Sequence, residues 1–176
     1  MILIAILGGC SSSNKHDDST AVTPQSPEAR TASPTAQTGS AAQPQTPAMP
    51  KVHLSAPQGD VVVGVEIVST PAQIERGLMY REHLPPDQGM LFLMSEEKNW
   101  PFWMHNTLIP LDMFFIDSDW NVVGVVQNAA PQTDDPRRVD KMSRYVLEVK
   151  AGFAARHGLG AGAQVKFMPP AALELP

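Results

Sequence analysis

The chain has 176 residues, 43% of them apolar, with a net charge of −5 and a pI near 5.4. It carries no basic run, which argues against a nucleic-acid partner. Its single cysteine, Cys10, excludes an intrachain disulfide and a cysteine-rich metal cage.

Residues 1–9, M-I-L-I-A-I-L-G-G, form an apolar run too short to span a bilayer. They read as the end of a secretory leader, followed at once by Cys10. The usual positive n-region is missing, which points to a leader whose start lies further upstream. Leu7-Gly8-Gly9-Cys10 resembles a bacterial lipobox. That resemblance implies cleavage before Cys10 and acylation of its thiol and new amino group. The expected address is the bacterial cell envelope, lipid-anchored and facing the periplasm. Ser11 after the cysteine favours the outer membrane. Several acyl chains make a stable anchor, since each buried CH₂ contributes about 0.8 kcal/mol. The membrane, reached through the lipid on Cys10, is the one partner this segment names.

Residues 10–50 form the lipidated cysteine and a linker of Ser, Thr, Ala, Pro and Gln. Positions 11–50 hold no Leu, Ile or aromatic residue. Such a segment buries too little apolar surface to offset chain entropy, so disorder is expected. Its reach is roughly 35 Å as a flexible coil and on the order of 120 Å as extended polyproline. Residues 51–176 are left as one β-rich globular domain, large enough to bury a core without staples.

Within that domain Val61 to Val68 is a β-branched run and predicts a strand. Gly64 in it signals a bulge or a close backbone approach. Thr70-Pro71-Ala72-Gln73 predicts a helix start. Thr70 suits the N-cap, Pro71 the first turn, and Gln73 completes a capping box. The helix should stop near Gly77. Leu84 to Gly89 predicts a turn, because two prolines forbid a helix and Gly89 permits positive φ. Met90 to Met94 predicts a buried strand, and Pro101 to Met104 an extended segment.

Leu111 to Ile116 predicts a strand with Leu111, Met113 and Phe115 on one face and Asp112, Phe114 and Ile116 on the other. Asp117-Ser118-Asp119 is a hairpin turn into a strand over Trp120 to Gln127. Ala129 to Arg144 is a long polar loop of a length usually tied to mobility or function. Tyr145 to Lys150 alternates as a strand. Ala151 to Gly158 is a short helix stopped by Gly158, and Gln164 to Met168 is a last strand. The expected fold is mainly β, a small antiparallel sandwich or barrel with two short helices after a disordered linker.

The densest stretch is Gly89 to Asp117. It holds four of the six Phe, two of the three Trp and four of the nine Met, and sets His105, Asn106, Thr107 and Asp112 among them. Several motifs recur in order: R-G-L-M (Arg76 to Met79), Arg81, G-M-L-F (Gly89 to Phe92), F-W-M-H-N-T (Phe102 to Thr107), P-L-D-M-F-F-I-D (Pro110 to Asp117) and V-L-E-V-K-A-G (Val146 to Gly152). Over about residues 60–168 the chain resembles the family known as domain of unknown function 192. The resemblance implies a compact β-rich fold, seen in bacteria and archaea and often exported. It carries over no activity, substrate, cofactor or catalytic residue. The family usually has Lys where this chain has His105, so a role needing fixed positive charge there does not transfer.

Asp112 sits inside an apolar strand, so it must be paired or exposed in a cleft. Arg81 is the expected partner, since a guanidinium can meet a carboxylate through two parallel bonds, and Arg76 competes. The bland alternative is a structural ion pair. Asn106 and Thr107 suit turn capping, and His105 suits a solvated corner. The functional reading gathers Arg81, Trp103, His105, Asn106, Thr107 and Asp112 around one cleft for a small polar or carbohydrate ligand, with Trp103 as platform. This makes the chain a non-catalytic envelope lipoprotein that binds a small ligand or an envelope component.

Two alternatives come from other classes. Asp112 and Glu148 would form the acid/base pair of an enzyme acting on envelope carbohydrate. The domain's methionines with His105 would hold Cu(I), although no M-x-x-M or H-x-x-M spacing supports it and core packing explains methionine well. No serine sits in a nucleophile elbow, and phosphate-loop and zinc-protease patterns are missing. No cofactor or resident metal is indicated. Nothing in the sequence sets the oligomeric state.

Overall fold

The computed structural model describes residues 49–169. The leader, Cys10 and nearly all of the linker lie outside the described residues. Seven strands are present: β1 (Lys51–Leu54), β2 (Val61–Val68), β3 (Gln88–Lys98), β4 (Leu111–Ile116), β5 (Val122–Ala129), β6 (Ser143–Lys150) and β7 (Val165–Met168). Two short helices, α1 (Pro71–Arg76) and α2 (Phe153–His157), join them. The protein is mainly β, as its alternating segments require. β2 and β4 have the predicted limits, while β1, only four residues long, was not legible.

The strands form one sheet in the order β5-β4-β6-β3-β2-β1-β7. All neighbours are antiparallel except β2 and β3, which pair in parallel from Gly64↔Gln88 to Val68↔Phe92. A parallel pair needs a long crossover, and α1 with the double-proline turn supplies it. The mainly β, antiparallel architecture expected from the sequence is present, with this one parallel pair as its exception.

The sheet curls into a half-barrel. The start of β5 and the start of β7 are tied together although they belong to opposite edges. The Val122 amide donates to Ala163 O at 2.9 Å and the Val165 amide to Trp120 O at 2.9 Å. Trp120 covers this seam, stacking on Tyr145 at 4.1 Å and lying near-parallel to Phe167 at 5.7 Å between ring centroids.

Strict alternation in the central strands gives two cores, one on each face. Leu91, Phe114, Leu147 and Val149 pack on the face that carries α2. Met90, Phe92, Met113, Phe115 and Val146 pack on the face that carries α1, with Leu78, Leu84 and Met104. Residues 111–116 are buried on both faces, which explains their near-continuous apolar run.

Gly89 has a different role from the one expected. It lies inside β3 without positive φ. A Cβ there would come within 2.4 Å of Glu148 O and 2.9 Å of Val149 Cγ1, so glycine is needed for the close approach of β6. α1 starts as predicted. The Thr70 hydroxyl accepts from the Gln73 amide at 3.4 Å, the Gln73 side chain accepts from the Thr70 amide at 3.3 Å, and Pro71 fills the first turn. Gly77 ends it at φ 44°.

Candidate functional site

The α1 face of the sheet is incompletely covered. α1 is one and a half turns long and has no buried residue of its own. Beside it opens a pocket of about 680 Å³, within the range that holds small ligands. Ile74, Leu78 and Met79 form the wall from α1 and the turn after it. Phe92 and Met94 of β3 contribute the floor, and Trp100, Phe102 and Trp103 the opposite wall. Phe102 is held edge-on between Phe92, at 5.1 Å, and Phe115, at 5.9 Å.

The segment 101–107 is fixed by the long polar loop. Phe102 and Arg137 exchange two backbone hydrogen bonds of 2.8 and 2.6 Å, and the Met104 amide donates to Thr133 O at 3.0 Å. Asp134 and Pro136 of that loop reach the pocket.

Glu148 is the acidic group inside this apolar setting. It lies in β6, with Met90 and Met113 as its cross-strand neighbours, and only 4% of it is exposed. It lines the pocket, and none of its side-chain oxygens meets a hydrogen-bond donor among the described residues. Burial without a partner disfavours the charged form. The Glu148 carboxyl is accordingly pushed up to about 8.

Asp112 is placed elsewhere, which corrects the expected cleft. It lies on the α2 face, opposite Trp103 and Glu148, and is 0% exposed. Its two oxygens accept from the Asn128 amide and the Ala154 amide, each at 2.8 Å. Asn128 has φ 51°, and Ala154 is in the first turn of α2, whose N-cap Gly152 has no side chain to offer. Asp112 therefore satisfies a helix start and a strained turn from across the sheet. It makes no pair with Arg81. Nor does it face Glu148 across a cleft: the two occupy adjacent strands with side chains on opposite faces, so the sheet separates them.

Arg81 instead meets Glu66 of β2 through two bonds of 2.5 Å. The guanidinium holds the Glu66 carboxyl below its ordinary value, and Glu66 raises Arg81 in return. Both are about two-fifths exposed, so solvent weakens the pair. His105 Nδ1 lies 2.7 Å from Asp134 Oδ1 at an exposed corner. Asn106, at φ 51°, donates from its side chain to the Tyr80 hydroxyl at 2.8 Å and accepts the Tyr80 amide at 2.9 Å. The Thr107 hydroxyl donates to His105 O at 3.3 Å.

Of the six residues gathered by the sequence reading, Trp103 and Thr107 line the pocket. Arg81, His105 and Asn106 do not line it, and Asp112 belongs to the other core. The methionines Met90, Met94, Met104 and Met113 are buried in the apolar cluster under α1. No group of three or more His, Cys, Asp or Glu is spaced to hold a metal among the described residues. Sequence reasoning placed Glu148 only as half of a catalytic pair. Its better signal was an acid at the centre of the apolar strand V-L-E-V.

No helix among the described residues is long and apolar enough to cross a membrane. Among curated proteins none matches the chain closely. Solved structures similar to it include the following two. One, from Sinorhizobium meliloti 1021 and described as a candidate transcription regulator, is 37% identical, with a TM-score of 0.65 over 67% of this chain and 92% of its own. The other, a protein of unknown function from Novosphingobium aromaticivorans DSM 12444, is 35% identical, with a TM-score of 0.64 over 66% of this chain and 83% of its own. The profile of one family, described as "Uncharacterized ACR", matches residues 53–167, and on that match the chain belongs to the domain of unknown function 192 (DUF192) family.

Proposed function

We propose that this protein is an envelope lipoprotein whose β-domain binds a small, largely apolar ligand in the pocket beside α1, without covalent chemistry. One observation carries the binding reading: an apolar pocket whose single deeply buried ionisable group, Glu148, has no partner among the described residues. A buried polar group left unpaired costs stability, and such a cost is commonly kept where a ligand completes the site. The walls are mostly apolar, so the ligand differs from the sugar expected from Trp103 alone.

Leu7-Gly8-Gly9-Cys10 and the Pro/Ser/Thr/Ala-rich linker support a lipid anchor that holds the domain off the membrane, facing the periplasm. Ser11 favours the outer membrane. The regulator description of the Sinorhizobium relative would imply a nucleic-acid partner. A net charge of −5 and the absence of a basic run speak against one here.

A thermal-shift screen of small apolar molecules against the full chain tests the binding reading. A hit whose shift disappears when Leu78 is replaced by a residue that fills the pocket, such as Leu78→Trp, is the expected result. Hits indifferent to every pocket substitution would refute it. The anchor is tested by fractionation: the Cys10→Ala chain should leave the membrane fraction.

A further inference from the structure

We propose that the pocket takes an uncharged ligand with a flat apolar body and a carbonyl-type oxygen, which accepts a hydrogen bond from the Glu148 side chain. This rests on the binding reading above and names the class of ligand.

The body follows from the walls. Phe92, Trp100, Phe102 and Trp103 line the space, and the first three are held by other contacts: Phe92 and Phe102 edge to face, and Trp100 by its indole N–H on Glu96 O at 3.1 Å and by Lys98 over its ring. Such rigid aromatic surfaces suit a flat partner.

The oxygen follows from Glu148. A protonated carboxyl has one O–H to donate. The groups beside it in the sheet are Met90 of β3 and Met113 of β4, and neither accepts that hydrogen bond well. The free space of the pocket is where an acceptor can reach it.

The absence of ligand charge follows from the rest of the lining. Its other charged groups are Glu75 and Arg76 from α1, Lys98 from β3 and Asp134 from the long loop, all exposed. Two are acidic and two basic, so the mouth carries no net sign to select an ion. Solvent also screens them. A cationic ligand would need Glu148 ionised in a floor of Phe and Met, without any further donor to steady it. The Thr107 hydroxyl already donates to His105 O, which leaves its oxygen free to accept from a second polar group of the ligand.

The test uses the full chain and two probes of similar size, acetophenone and benzyltrimethylammonium. Binding is read by NMR from the amide shifts of Phe92, Met94 and Glu148. Acetophenone should move these amides. Its affinity should fall about tenfold as pH rises from about 6.5 to 9.5, because the ionised carboxylate cannot donate. Glu148→Gln, which still donates, should keep affinity within about threefold and lose the pH dependence, while Glu148→Leu should lose about tenfold.

Acetophenone binding that ignores pH and both substitutions would overturn the hydrogen-bond assignment but leave the binding reading standing. Tighter binding of the ammonium probe, lost in Glu148→Gln, would overturn it in favour of a cation. If neither probe moved the pocket amides, the binding reading would fail as well.

Discussion

Two carboxylates one rung apart show how much a side chain's direction decides. Asp112 and Glu148 lie on adjacent strands and are both buried, yet they face opposite cores. Asp112 is satisfied by two backbone amides, and its role is structural. Asp112→Ala should destabilise the protein by roughly 2–4 kcal/mol, because a buried and a part-buried N–H group lose their acceptor. Thermal unfolding would show it, and pocket occupancy should not change in the folded fraction.

Glu148 predicts a pH dependence with a definite sign. Its folded-state value is raised from 4.5 to about 8. Between those values the unfolded chain gives up a proton that the folded chain keeps. Stability should therefore fall as pH rises from about 4.5 to 8 and level off above. Glu148→Gln should flatten that slope in denaturant titrations taken across the range. Asp112 stood out in the sequence as a charge within an apolar strand, whereas Glu148 was read only as half of a catalytic pair. The strand period put Asp112 on the face opposite Met113, as found. The partners were not legible, because the Asn128 and Ala154 amides approach from distant segments that no local pattern connects.

At the scale of elements, local chemistry was the most legible part. The capping box at Thr70 is present because its two bonds are made within four residues. Thr70→Ala should cost about 1 kcal/mol, measured as a lower midpoint in denaturant. The Arg81–Glu66 bond ties the turn after α1 to β2, a pairing the sequence reading gave to Asp112 instead. Glu66 is held below its ordinary value, so this stabilisation is present above that value and lost as pH falls through the lowered one. Being exposed, the pair should be worth less than about 1 kcal/mol, and Glu66→Gln should barely move the midpoint at neutral pH. Gly89→Ala should cost far more, since the new methyl would meet the backbone of β6 rather than a flexible side chain. β1 and the parallel register of β2 on β3 escaped the sequence reading. Both depend on which distant strand arrives alongside, and four residues of β1 carry too little pattern to announce it.

Across the whole domain, a single curled sheet with a core on each face gives the two short helices unequal work. α2 is anchored: Phe153 and Ala154 are buried, and Asp112 holds its first turn. α1 buries none of its residues and leaves space beneath it. The pocket is thus a consequence of topology. The crossover from β2 to β3 is long enough to pass over the sheet but brings too short a helix to cover it. The aromatic residues that enclose the remaining side come from the segment 100–103, which the long loop pins in place through Arg137 and Thr133. That loop, polar, mostly exposed and without regular structure, is tied to the domain at these two points.

Ligand recognition in this pocket depends on an uncharged Glu148 side chain facing that space at neutral pH. The most direct measurement is a carbon-13 NMR titration of its carboxyl in the folded protein, with Glu148→Gln identifying the resonance. The expected midpoint is near 8. A midpoint near 4.5, the ordinary value for glutamate, would mean that the group is solvated or paired, and the ligand assignment built on it would be wrong.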